Sequence, residues 1–247
     1  MSAPMPLRRL DDGGTAVLDN AALTALYPRT PAPHLRMNFV TSLDGAVTLD
    51  GYSEGLSGEP DKRVFGIMRK VCDALVVGAG TLRHEGYRAV RLDEERRAWR
   101  RENGVAEYPV LVVVSRTLTL DPGAPVFTEA PVRPVILTHH AAEAPAGLDK
   151  VADVLRHGTE QVDLAAGLAE LHVRGLTQLL CEGGPHLFGS LTAADLVDEL
   201  CLTISPLLTS PDAGRIIAGP VGPPRPMRLA HVLAADDGTL LLRHTRS

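Results

Sequence analysis

Residues 179–190 read LLCEGGPHLFGS, placing a carboxylate, two glycines and a proline where an apolar run ends. Leu179 and Leu180 close a strand, Glu182 stands at its carboxyl end, and Pro185 suits the first turn of a helix carrying Leu187, Phe188 and Leu191. A strand running into a helix N-terminus points unpaired N–H groups and the positive end of the helix dipole at whatever lies above it. Gly183 and Gly184 have no Cβ, so an anion such as a phosphate can reach the main chain. Glu182 repels such an anion and is expected to face a different part of the ligand. Taken alone, the segment equally fits an ordinary strand-to-helix turn.

Other strand ends offer related groups. TSLDG puts Asp44 before Gly45, which is either a carboxylate aimed into a cleft or an Asp-Gly turn. GAGTLR, beginning at Gly78, partly matches a dinucleotide-binding glycine pattern through Gly78 and Gly80, with Thr81 following and Arg83 where a third glycine would stand. LVVVSRTL places Ser115 and Arg116 beyond an apolar strand, where a hydroxyl and a guanidinium suit a nucleotide 2′-phosphate and so favour NADPH over NADH. A surface turn is the alternative for that pair.

These residues share a ligand only if the strand ends share a sheet edge. HLRMNFVTS reads as the first strand of the main fold, and DKRVFGIMRKVC as a helix with Val64, Ile67, Met68 and Val71 at helical spacing. DALVVGAGT, VLVVVS, PVILT, VADVL and TQLLCEGG read as strands. DLAAGLAELHVRG reads as a helix closed by Gly175, whereas LDEERRAWRREN fits either a helix or an ordered loop. Apolar strands alternating with helices predict a largely parallel sheet covered on both faces, and in such a sheet ligands bind outside the carboxyl ends of the strands. After Ser190 the pattern changes to strands and turns, with a Pro/Gly-rich stretch over 206–226 and a hairpin at DDG (236–238), predicting an antiparallel edge. The expected organisation is an N-terminal arm or capping helix over 1–33 and a single α/β domain over 34–247.

Composition narrows the function classes. The chain has 247 residues, 45% hydrophobic and 22% charged, with no apolar run near the ~20 residues that cross a bilayer and no apolar leader core. A cytoplasmic protein without membrane partners is expected. A net charge of -5 argues against a sequence-independent grip on nucleic acid. Cys72, Cys181 and Cys201 form no C-x-x-C pair and are expected as buried thiols, and no metal site is expected.

In this order and spacing, TSLDG, DALVVGAGT and EGGPHL resemble the reductase domain of the riboflavin-biosynthesis family, over about residues 37–243. The resemblance implies a dihydrofolate-reductase-like fold with a mostly parallel central sheet flanked by helices and an antiparallel C-terminal edge. It implies NADPH-dependent reduction of the ribose of 5-amino-6-(5-phosphoribosylamino)uracil, or a closely related pyrimidine, to a ribityl chain. It places the cofactor against Val40, Thr41, Gly78, Gly80, Thr81, Ser115 and Arg116, and along Gly183, Gly184, Pro185, His186 and Leu187. It places the substrate at Ser53, Arg69, Glu85 and Glu182, with Arg69 pairing the 5′-phosphate, and gives the catalytic proton to Asp44 or Glu182. It also implies a homodimer, for which CLTISPLL supplies either an interface or an interior strand.

The sequence departs from the family pattern within the expected cleft. SEGLS has Gly55 where the family carries an aromatic residue, and HEGY has Glu85 and Tyr87 where the family carries an acid and a proline, with Arg88 or Arg91 as the following arginine. These changes leave open the reduction of a pterin such as dihydrofolate, and NADPH binding without turnover. The zinc deaminase motifs H-x-E and P-C-x-x-C are absent from the sequence, so another polypeptide is expected to deaminate.

Overall fold

The structure is a computed structural model that describes residues 4–209, 213–219 and 222–247. Its strands are β1 (Leu7–Arg9), β2 (His34–Thr41), β3 (Ala74–Gly78), β4 (Val110–Val114), β5 (Val135–Thr138), β6 (Asp153–Arg156), β7 (Gln178–Gly183), β8 (Glu199–Ile204), β9 (Met227–Ala235) and β10 (Leu240–Arg246). Its helices are α1 (Asn20–Leu26), α2 (Glu59–Val71), α3 (Ala79–His84), α4 (Glu94–Glu102), α5 (Pro125–Thr128), α6 (Leu148–Val151), α7 (Leu164–Val173) and α8 (Pro185–Ala193).

All ten strands form one sheet in the order β1-β9-β10-β8-β2-β7-β3-β4-β5-β6. From β8 to β6 the neighbours run parallel, and β10, β9 and β1 continue antiparallel. The apolar runs form the central strands because both of their faces are covered: Leu75, Val77, Leu111 and Val113 join one core, while Ala74, Val76, Val112 and Val135 join the other. The alternating C-terminal segments form the antiparallel edge, turned by Asp236–Gly238 with Gly238 at φ 90°. CLTISPLL begins inside β8, an internal strand whose two edges are filled by β2 and β10, and Pro206, Leu207 and Leu208 beyond its end are exposed. Within the stretch 206–226, residues 210–212 and 220–221 lie outside the described residues.

Three local expectations need adjustment. LDEERRAWRREN is a helix, with the Asp93 side chain capping the Arg96 N–H. VADVL becomes a strand only from Asp153, because Leu148–Val151 closes a helical turn first. Residues 1–33 supply the outermost strand β1 as well as a helix, and Leu7, Leu23 and Tyr27 enter the core. All three cysteines are buried thiols. Among the described residues no helix is long and apolar enough to cross a membrane, and no group of three metal-ligating side chains is present.

Two buried polar devices hold the frame. Glu199 of β8, with no exposed surface, accepts from Arg36 of β2 and from Arg243 of β10 (2.7 Å), and its Oε2 lies 3.0 Å from His34 Nε2. These pairs tie the parallel sheet to its antiparallel edge. Burial alone would raise the Glu199 pKa, but the His34, Arg243 and Arg36 partners hold it far below the usual carboxylate range. Arg100 of α4 is fully buried and donates to the Lys70 and Cys72 carbonyls at 2.9 and 2.6 Å, satisfying the C-terminal end of α2.

His231 of β9 packs edge-on against Tyr27, with ring centroids 5.2 Å apart and Nε2 3.3 Å from the Tyr27 hydroxyl. Burial, reinforced by Arg243 and Arg9, lowers its pKa from the ordinary 6.5 to about 4. Between those values the unfolded chain binds a proton that the folded chain does not, so stability falls as pH drops through 6.5 towards 4. Urea midpoints measured between pH 7.5 and 4.5 should fall accordingly, and His231→Gln should flatten the slope by about one proton. An unchanged slope would show that His231 titrates in the fold as it does in the unfolded chain.

Candidate active site

The sheet places the carboxyl ends of β2, β3 and β7 side by side, and a cavity of about 590 Å³ opens above them. Its other wall is α2. That helix starts at Gly58 with Pro60 in its first turn, carries Glu59 and Asp61 there, and ends with Arg69 and Lys70, all matched to the helix dipole. Val64, Ile67, Met68 and Val71 bury its inner face. Asp61, Phe65 and Arg69, spaced i, i+4, i+8, form a second stripe that lines the cavity, with Lys62 beside it.

The cavity is anchored by an ion pair. Arg69 Nε and Nη2 donate to Glu182 Oε1 and Oε2 at 2.7 and 2.6 Å, and the Tyr87 hydroxyl donates to Oε2 at 2.9 Å. The Glu182 side chain is 2% exposed and that of Arg69 27%. Burial works against the Arg69 charge, yet the Glu182 carboxylate more than offsets it and raises the guanidinium pKa. Burial, with Glu182 adding to it, also pushes Tyr87 well above the usual phenol value. The guanidinium lies 4.2 Å from the Phe65 ring centroid, which fixes that ring against it.

The glycines of the strand ends have steric reasons. β7 and β3 close up at their tips, where a Cβ on Gly183 would approach the Gly78 nitrogen to 2.9 Å. Gly184 adopts φ +78°, and a Cβ there would collide with Thr81 Oγ1. A Cβ on Gly80 would meet nothing within 4 Å, so the space over the start of α3 is open. Gly184 leads into α8, with Pro185 in the first turn, as its sequence implies.

The structure brings most of the predicted site residues together. Val40, Ser53, Arg69, Gly78, Gly80, Thr81, Glu85, Glu182, Gly183, Gly184, Pro185, His186 and Leu187 line the cavity. Four do not. Asp44 is exposed and accepts from Ser42 Oγ and from the Thr209 N–H at 3.2 Å, so it forms the turn around Gly45 rather than aiming into the cleft. The Ser42 hydrogen bond, against desolvation and with help from Thr209, lowers its pKa. Thr41 is buried outside the cavity lining. Ser115 is 3% exposed, its hydroxyl accepting from the Leu118 N–H at 3.1 Å, while Arg116 beside it is exposed.

Glu182 lines the cavity as expected, with its carboxylate held by two side chains. Its carboxylate turns to Arg69 and Tyr87, because a buried charge needs a counter-charge and Arg69 is in reach. Sequence reasoning missed Tyr87 as the second holder of that acid, and missed Asn38, Ser57, Asp61, Lys62 and Phe65 in the lining. For 61, 65 and 69 the i, i+4, i+8 spacing carried the signal. Gly55 packs against Leu49, where a Cβ would come within 2.9 Å of Leu49 Cδ2. Tyr52 stacks on His84 nearby, with centroids 4.9 Å apart, giving the rim an aromatic surface without residue 55.

A parallel sheet whose strand ends open onto a polar cleft, next to a glycine-led helix and with an antiparallel C-terminal edge, defines a dihydrofolate-reductase-like α/β protein. The chain belongs to the RibD C-terminal domain family, whose model matches residues 33–241. It is 33% identical over 190 residues to a 2,5-diamino-6-ribosylamino-4(3H)-pyrimidinone 5′-phosphate reductase of Methanothermobacter thermautotrophicus, covering 76% of this chain and 84% of that protein. It is 31% identical over 177 residues to the Archaeoglobus fulgidus reductase of the same name, covering 71% and 81%. A solved pyrimidine reductase-like protein from Corynebacterium diphtheriae superposes with a TM-score of 0.80 at 25% identity, covering 91% of this chain and 98% of that one.

Arg69→Met leaves the buried Glu182 carboxylate without its counter-charge and should cost about 3–5 kcal/mol of stability. Tyr87→Phe removes one hydrogen bond to a charged group and should cost about 1.5–3 kcal/mol. Urea denaturation checks both, and equal losses would mean that the two partners do not share the acid as the geometry implies.

Proposed function

We propose that the chain is an NADPH-dependent reductase of a phosphorylated ribosylaminopyrimidine, of the kind its relatives are named for. The observation that carries this reading is the cavity itself, in which the glycine-led start of α8 and the Arg69–Glu182 pair face one space at the strand ends. The archaeal relatives are pyrimidinone 5′-phosphate reductases, which supports the same substrate class.

The residues fit a dinucleotide. Gly80 leaves open space over α3, Gly184 leaves none for a side chain, and the N–H groups opening α8 suit a pyrophosphate. Thr81, His186 and Leu187 would flank it, and exposed Arg116 at the end of β4 would meet the 2′-phosphate, with Ser115 holding that turn from beneath. When bound, the cofactor supplies a hydride to C1′ of the opened sugar.

The chain's own work is alignment and charge. Arg69 puts positive charge on the α2 wall for the 5′-phosphate, and Ser53 adds a hydroxyl. Glu182 fixes the direction of Arg69 through both of its oxygens. Phe65 offers the pyrimidine an aromatic face.

NADPH oxidation followed at 340 nm should occur with the ribosylaminopyrimidine phosphates and not with dihydrofolate. Preference for dihydrofolate would reassign the cleft to pterins, and tight NADPH binding without turnover of any of them would make the chain a binding protein. Arg116→Ala should weaken NADPH by about 1.5–3 kcal/mol while leaving NADH nearly unchanged. Equal effects on both would remove the 2′-phosphate from Arg116.

A further inference from the structure

Asp61 is the buried acid of the cavity that the central ion pair does not use. It stands in the first turn of α2, is 5% exposed and lines the cavity. Its partners are hydroxyls: Ser57 Oγ donates to Oδ2, and Thr203 Oγ1 donates to Oδ1 at 2.6 Å. Burial raises its pKa above the usual carboxylate value, against the pull of Ser57, Thr203 and the neighbouring Lys62. Two carboxylate oxygens accept about four hydrogen bonds, so the pair of hydroxyls leaves room for a ligand with two donors.

The place of Asp61 in the cleft is set by two contacts. Thr203 of β8 is the register partner of Val40 on β2, so Asp61 is tied to the β2 side of the cavity. Eight residues along the same stripe, Arg69 is tied to Glu182 on the β7 side, and Phe65 lies between them. The stripe therefore offers a carboxylate, an aromatic ring and a guanidinium in a row. A flat heterocycle lying at Phe65 turns one edge to Asp61, while the anionic end of the molecule is repelled from the acid.

The two candidate pyrimidines differ at one edge. A 2-amino-pyrimidin-4(3H)-one presents two adjacent donors, the 2-amino group and N3–H. Its uracil counterpart presents N3–H beside the O2 acceptor, which faces a carboxylate oxygen unfavourably. An acid with hydroxyl partners on both oxygens matches the donor–donor edge and is mismatched to the other.

On the reading given under Proposed function, we propose that Asp61 accepts from the 2-amino group and N3–H of the substrate pyrimidine and makes the enzyme selective for the 2-amino base over its 2-oxo counterpart.

The test compares the two phosphorylated substrates, 2-amino and 2-oxo, with wild type and Asp61→Asn. Wild type should favour the 2-amino substrate in kcat/KM by at least about ten-fold. The Asn amide keeps the shape of Asp and presents one acceptor and one donor, matching N3–H and O2, so the variant should reverse the preference. A residue that only braces α2 against β8 would lower both rates and leave their ratio unmoved, and that result overturns the proposal. Calorimetric titration with 2,5,6-triaminopyrimidin-4(3H)-one and 5,6-diaminouracil reads the same ratio without turnover. Absence of turnover with both phosphorylated substrates would contradict the reductase reading, while the base-binding ratio would still decide the role of Asp61. Should Asp61→Asn fail to fold, a wild-type ratio near one, or in favour of the 2-oxo base, overturns the proposal by itself.

Discussion

The pair between Arg69 and Glu182 sets the geometry on which the rest of the cleft depends. It joins the last turn of α2 to the tip of β7, two elements separated by 113 positions in sequence. With that join in place, the stripe of Asp61, Phe65 and Arg69 faces the sheet edge instead of solvent. The pair is mostly out of water, so its attraction is strong and its desolvation cost is high. Tyr87 reduces that cost by giving Glu182 another donor. A cavity wall fixed in this way is stiff, and a stiff wall is what hydride transfer between two bound molecules demands.

The opposite end of the fold supports that wall indirectly. Glu199, shared by Arg36, Arg243 and His34, locks β8 and β10 against β2, and β8 supplies Thr203 to hold Asp61. Arg100 closes the carbonyl end of α2 from α4. One helix is thus held at its start by a sheet hydroxyl, near its end by an ion pair and at its terminus by a buried guanidinium. Polar contacts fix its position, while apolar burial of Val64, Ile67, Met68 and Val71 supplies most of the driving force.

The architecture was legible in the sequence because parallel strands buried on both faces must be continuously apolar, as ALVVG and VLVVV are. Short pieces such as β1 were not legible, since three residues carry no period and the pairing with β9 is set by tertiary contact. At the site, the glycines and the strand-to-helix turn were readable from steric need. The direction of each acid was not. Asp44 and Glu182 both end strands in sequence, yet one closes an exposed turn and the other is captured by Arg69, because capture depends on a helix far away in the chain. Asp61 was hidden among the charges of a helix start, where an acid is favourable on dipole grounds alone.

On the proposed reading, the chain aligns two ligands in one cleft. The proposed reaction is hydride delivery to the sugar carbon of a pyrimidine. It is tested most directly by running the reaction with NADPH dideuterated at C4 of the nicotinamide and locating the label in the product by mass spectrometry and NMR. One deuterium is expected, on C1′ of a ribityl chain. Deuterium in the heterocycle, or none in the product, would contradict it.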